Sequence, residues 1–135
     1  MNKKHSPEWY IAGTHWLTSM ITAAIIGSIV IFLLAIITQN IIALAIGALI
    51  IYPLSMWLAV IYSARFINKR YEIANPNHII TLSTLFLVIV AGGYRLFVTI
   101  SNPISTISLA NILGFLIMFV IFYFASKKYV VKNIA

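Results

Sequence analysis

The chain is predicted to be an all-α integral membrane protein: a four-helix bundle built from two tandem helical hairpins, with both termini in the cytoplasm. Three observations predict this. Hydrophobic residues make up 62% of the 135 residues and mean hydropathy is +1.04, more apolar surface than one soluble core of this size encloses. The apolar residues collect into four runs, 16–37, 41–64, 79–100 and 107–125. Each run is about 20 residues long, enough to cross about 30 Å of hydrocarbon at about 1.5 Å per residue. Eight of the nine Lys and Arg fall on one side of those runs, and the positive-inside rule assigns that side to the cytoplasm.

The first run follows Lys3 and Lys4 and an aromatic group of Trp9, Tyr10 and Trp16, which fits an interfacial belt. Its apolar length exceeds that of a signal peptide and no small-x-small cleavage site follows, so it is read as a retained span. Thr38-Gln39-Asn40 is a tight polar turn into the second run. Pro53 removes a helix hydrogen bond near the Leu49 carbonyl and predicts a kink. Arg65, Lys69 and Arg70 then open a polar connection over 65–78, placed in the cytoplasm. Ser101-Asn102-Pro103 turns the third run into the fourth, after which come Lys127, Lys128 and Lys132. The small-residue pairs Ala23/Gly27, Ala43/Gly47 and Ala110/Gly114 let helices approach closely. Residues 1–135 read as a single transmembrane domain.

The net charge of +7 does not indicate nucleic acid. The cations border apolar spans, where anionic headgroups attract Lys and Arg by about 1 kcal/mol each. There is no cysteine, which excludes disulfides, thiol catalysis and thiolate metal sites. There is no aspartate, and the only acids, Glu8 and Glu72, lie outside the runs. A proton-coupled exporter of the small four-span type needs a carboxylate in the membrane. A glycosyltransferase needs paired or metal-binding carboxylates. The chain is therefore read as a non-enzyme, with no catalytic residue, cofactor or metal site.

The ends of runs two and four match in register. Phe66-Ile67-Asn68-Lys69-Arg70-Tyr71-Glu72-Ile73 parallels Phe124-Ala125-Ser126-Lys127-Lys128-Tyr129-Val130-Val131. The openings of runs one and three also match, as His15-Trp16-Leu17-Thr18 and His78-Ile79-Ile80-Thr81. Two hairpins that both start and end in the cytoplasm form a parallel repeat about the membrane normal.

These repeated exits, with Leu109-Ala110-Asn111-Ile112-Leu113-Gly114-Phe115 and the following Phe122, Phe124, Lys127 and Tyr129, resemble the GtrA-like family of small four-span membrane proteins. In that family the exit reads roughly Phe-x-x-Asn-Arg-x-Trp/Tyr-x-Phe. Here Ser126 stands for the usual Asn, Val131 for the last Phe, and His15-Trp16 and His78-Ile79 for an Arg-Phe pair. The resemblance implies translocation of a polyprenyl-phosphate-linked sugar across the cytoplasmic (inner) membrane, or support of a membrane glycosyltransferase, for cell-surface polysaccharide glycosylation.

Lys69, Arg70, Lys127 and Lys128 are candidate contacts for a lipid phosphate, Arg as a bidentate fork and Lys as a point charge. The same cations also satisfy plain topology. Asn68 and Ser126 are supporting hydrogen-bond candidates, and both are ordinary helix-end residues too. Arg95, in Gly92-Gly93-Tyr94-Arg95, is the one cation inside a run, where charge costs at least about 2.5 kcal/mol at the bilayer centre. It reads either as a phosphate contact on the outer half of the path or as a residue snorkelling to the outer headgroups. The glycines leave room for a lipid tail or a tight helix contact. His15 and His78 sit at matching interfacial positions and either contact phosphate when protonated or have no special role.

Three readings follow. A translocator predicts a lipid-sized groove between hairpins, basic at the cytoplasmic mouth and reaching Arg95. An anchoring subunit predicts a tightly packed bundle with an exposed surface centred on 65–78. A small channel or holin-like pore predicts a homo-oligomer lined by a polar stripe, for which Thr18, Thr22, Ser28, Thr81, Ser83 and Thr84 are the candidates, although serine and threonine often bond their own helix backbone. Native mass spectrometry of the purified chain with its lipids retained separates the first two. A co-purifying polyprenyl phosphate is expected, whereas a bound glycosyltransferase without that lipid supports the anchoring subunit.

Overall fold

The computed structural model describes residues 3–101 and 106–133, and the side chains of all of these except 99 and 106–111. The described chain is helical throughout its membrane-spanning parts: α1 Glu8–Thr38, α2 Ile41–Arg70, α3 Pro76–Leu87, a π-helical turn Val88–Gly92, α4 Gly93–Ser101 and α5 Thr106–Tyr129. Four stretches are long and apolar enough to cross a membrane, namely Glu8–Thr38, Ile41–Arg70, Pro76–Val98 and Ile112–Tyr129. The protein is an all-α, multi-pass membrane protein.

Local chemistry sets the helix ends. Gln39 adopts a left-handed conformation (φ 47°) and its N–H donates to Ala35 O, closing α1. Asn40 then caps α2, its Oδ1 accepting from Ile42 N–H at 2.9 Å and Ala43 N–H at 3.3 Å. Asn75 caps α3 through His78 N–H, with Pro76 in the first turn, where a missing N–H costs nothing. The expected turn at Asn102-Pro103 lies outside the described residues, as do the side chains of Leu109, Ala110 and Asn111.

The helices outrun their apolar segments. Rather than beginning near residue 16, α1 begins at Glu8, and α2 runs on to Arg70. Arg65, Lys69 and Arg70 are therefore helical, and the connection to α3 is only 71–75 rather than 65–78. Nothing in 65–70 breaks a helix, and Ile67 is fully buried there. Through Pro53, α2 continues as one helix. A discontinuity lies in the third span, at the π-helical turn before Gly93. A Cβ on Gly92 would stand 3.1 Å from Phe115 Cζ, so the glycine permits the close approach of this turn to α5. The wider turn changes which face α4 presents relative to α3.

The N-terminus, the 71–75 connection and the C-terminus meet on one face. Lys4 N–H donates to Arg70 O at 2.9 Å, and Glu72 N–H to Lys4 O at 3.1 Å. Asn133 accepts from Ile73 N–H at 2.7 Å and donates through Nδ2 to Asn68 O and Tyr71 O. The two hairpins thus run in the same sense. Next to α1 stand α2 and α3, and next to α5 stand α2 and α3. A two-fold axis along the membrane normal would set like helices on the diagonals. Here α1 neighbours α3 and α2 neighbours α5, so the hairpins lie side by side.

Packing is concentrated toward the termini face. Tyr71, Ile73 and Val130 lie nearest that face in the core, and inward follow Ile11, Ile67, Ile79, Val60, Leu87 and Phe122. Among the described residues, burial stops at Gly27 on α1, Ser55 on α2, Leu87 on α3 and Phe122 on α5. Beyond these positions the helices carry exposed apolar residues such as Ile37 (79%) and Ile41 (82%), whose natural solvent is lipid. In lipid, apolar contact alone does not hold helices together, so small residues and interhelical hydrogen bonds do. Ser83 Oγ donates to Ala12 O at 3.1 Å and Ser63 Oγ to His15 O at 2.8 Å, tying α3 and α2 to α1.

Asn68 joins the two exits, its Nδ2 donating to Tyr129 O at 2.7 Å and its Oδ1 accepting from Val131 N–H at 3.4 Å. Asn68→Ala is expected to cost about 1–3 kcal/mol, read as a lower unfolding midpoint in detergent by circular dichroism. An unchanged midpoint would show that the clamp does not stabilise the fold.

Candidate functional site

Between the hairpins, where close packing ends, lies a cavity of about 550 Å³. Its walls are Met20, Ala23 and Ala24 on α1, Ala48, Leu49, Tyr52 and Pro53 on α2, Arg95 on α4, and Gly114, Ile117 and Met118 on α5. Alanines and Gly114 create the space because they carry little side chain. Leu49, whose carbonyl loses its helical donor to Pro53, lies in the same wall.

Arg95 is the only charged residue in this lining. It lies 17 residues past His78 (95 − 78 = 17), about 25 Å along a helix rising about 1.5 Å per residue. The cavity sets it level with Ala23 and Pro53, both near the middle of their helices. A Cβ on Gly114 would stand 3.9 Å from Arg95 Nη1, so the guanidinium lies along α5. A charge at this depth is expensive and is characteristic of a functional position.

A polar layer closes the cavity toward the termini. His15 is fully buried. Its Nδ1 lies 2.9 Å from Ser63 Oγ and its Nε2 lies 2.9 Å from Ser126 Oγ. Because the Ser63 hydroxyl donates to the His15 carbonyl, all partners are satisfied when Nδ1–H donates to Ser63 and Nε2 accepts from Ser126. The Phe122 ring packs against the imidazole, with centroids 5.4 Å apart. One residue on α1 thus engages α2 and α5.

This placement corrects three expectations. His15 is not interfacial, because α1 begins at Glu8 and carries it two turns into the bundle. Ser126 points inward to His15 rather than outward to a headgroup. Trp16, expected in the interfacial belt with Trp9 and Tyr10, packs against Phe86 with centroids 6.2 Å apart, and its indole N–H is buried with no acceptor among the described residues. His78, the sequence counterpart of His15, is exposed in the first turn of α3 and bonded to the Glu8 carboxylate.

Lys69, Arg70, Lys127 and Lys128 are all exposed at the termini-facing ends of the neighbouring helices α2 and α5. None of them lines the cavity, and the His15 layer stands between. The polar-stripe candidates on α3 bond to their own helix, Thr81 to Asn77 O, Ser83 to Ile79 O and Thr84 to Ile80 O, and Ser83 is shared with Ala12 O of α1. Among the described residues no group of three or more His, Cys, Asp or Glu is placed to hold a metal ion. The π-helical turn and the His15 node were missed by sequence reasoning. Gly92-Gly93 was the available signal for the first, and none pointed to the second. No protein-family model matches the chain, and no curated protein or solved structure is significantly similar to it.

His15→Ala is expected to lower stability by about 2–4 kcal/mol, because it opens a cavity and strands the Ser126 hydroxyl. Trp16→Phe removes an unsatisfied donor and is expected to leave stability unchanged or raised. Thermal unfolding of both variants in the same detergent checks the pair, and the reverse order would contradict this account of the layer.

Proposed function

We propose that this multi-pass membrane protein translocates a polyprenyl-phosphate-linked sugar across the cytoplasmic membrane for cell-surface polysaccharide glycosylation. The observation that carries this reading is Arg95 in the wall of an otherwise apolar cavity between the hairpins. An isoprenoid tail suits the alanine, isoleucine and methionine walls. A guanidinium gives phosphate a bidentate, charge-assisted partner that strengthens as water is excluded. The likeness of the exits to the GtrA-like pattern points the same way.

In this reading the termini face is cytoplasmic, as the distribution of Lys and Arg suggests. Lys69, Arg70, Lys127 and Lys128 meet the headgroup there. The bundle described above is closed on that side by His15, Ser63, Ser126 and Phe122 and open in its other half. Transport then requires a second arrangement in which the bonds from His15 to α2 and α5 part. The anchoring-subunit alternative calls for a tightly packed bundle with no groove and an exposed surface centred on 65–78; the cavity at Arg95 supports the translocator over it.

Arg95→Ala is expected to reduce translocation in proteoliposomes carrying a polyprenyl-phosphate-linked sugar by about ten- to hundredfold, the loss of about 1.5–3 kcal/mol of charged hydrogen bonding. Arg95→Lys is expected to retain part of the activity. Undiminished transport in both variants removes Arg95 from the path.

A further inference from the structure

A second cleft, of about 330 Å³, opens at the termini face, away from the cavity at Arg95. Lys4, Ser6, Trp9, Tyr10, Arg70 and Tyr71 form its walls. The sequence pairs Arg70 with Lys69, but the fold pairs it with Lys4.

The backbone imposes that pairing. Lys4 N–H donates to the Arg70 carbonyl, and the Lys4 carbonyl accepts from Glu72 N–H, so the N-terminal segment lies beside the end of α2. Two cations brought together in this way repel each other unless an anion lies between them. The two acidic side chains, Glu8 and Glu72, do not fill that role. Glu72 faces His5 at 3.3 Å, and Glu8 is bonded to His78. Among the described residues, neither Lys4 nor Arg70 forms an ion pair with a carboxylate. The Arg70 guanidinium lies 5.5 Å over the Phe66 ring of its own helix, which steadies it.

The remaining walls match a lipid headgroup. Trp9 is 62% exposed and Tyr10 47%. Their rings meet edge to face at 6.0 Å, and Tyr10 meets Tyr71 at 6.1 Å in the same manner. Exposed Trp and Tyr at the end of a membrane helix sit at headgroup depth, with an apolar body and a polar edge. Lys127 and Lys128 are equally exposed but line no such cleft.

We propose that the Lys4–Arg70 cleft binds the phosphate of an anionic lipid headgroup. Lys4 and Arg70 contact the phosphate oxygens, the Ser6 hydroxyl donates a further hydrogen bond, and Trp9 and Tyr10 pack against the start of the acyl chains. This assigns Arg70, placed above at the headgroup of the carried lipid, to a separate site with Lys4, which stands whether or not the cavity at Arg95 carries a lipid.

The test uses the full chain in nanodiscs of phosphatidylglycerol diluted in phosphatidylcholine, with retained phosphatidylglycerol counted by native mass spectrometry. K4Q/R70Q is compared with R65Q/K132Q, two exposed cations that line neither cavity, so each variant loses one Lys and one Arg charge. K4Q/R70Q is expected to weaken phosphatidylglycerol retention about tenfold, and R65Q/K132Q by less than about twofold. The single variants K4Q and R70Q are expected to fall between, which keeps the comparison intact if the double variant folds poorly. Equal losses in both pairs mean that charge near the membrane suffices, and they overturn the site, as does no loss in either pair. Excess inorganic phosphate is expected to leave the lipid bound, and displacement by it would reassign the cleft to a free anion.

Discussion

An imidazole shared by two serines joins three of the membrane-long helices. His15 on α1 reaches Ser63 on α2 and Ser126 on α5, while Ser63 also bonds the His15 carbonyl. In a soluble bundle such a node would add little to a large apolar core. In lipid the outside is as apolar as the inside, and packing, small residues and polar bonds decide which helices stay together. The Asn68 and Asn133 clamps repeat that logic one level nearer the termini. Together they gather the bonds that hold the hairpins to each other into one half of the bundle.

The uneven distribution shapes the molecule. On the termini side the helices enclose a packed core, and on the other side their surfaces remain exposed. A cavity forms at the boundary because Ala23, Ala24, Ala48 and Gly114 have too little side chain to fill it. Regions with few buried contacts open at lower free energy than packed ones, so the open half is the freer to move while the clamped half keeps the hairpins in register. Arg95 sits at the boundary between these two regimes, following a π-helical turn that changes the facing of its segment.

Charge is partitioned with equal economy. Both carboxylates engage histidines at the termini face, leaving the Lys and Arg residues there to meet anions. Backbone hydrogen bonds, rather than side-chain attraction, bring Lys4 to Arg70.

Much of this was legible in the sequence. The number of spans, the polar turn at Thr38-Gln39-Asn40 and the gathering of cations on one side follow from local sums of hydropathy and charge, which need no knowledge of partners. The cost of placing Arg95 within a span marked it for the same reason. Helix length was less legible, because a helix ends where capping or backbone geometry stops it, as at Gln39 and Tyr71, not where apolar residues run out. That difference moved His15 and Trp16 from the interface into the bundle. Which helices neighbour one another, and that His15 finds Ser63 and Ser126 across 48 and 111 residues of chain, only the tertiary structure decided. Hydropathy tells a segment to enter the membrane, but its partners are chosen by side chains distant in sequence that satisfy one another's hydrogen bonds.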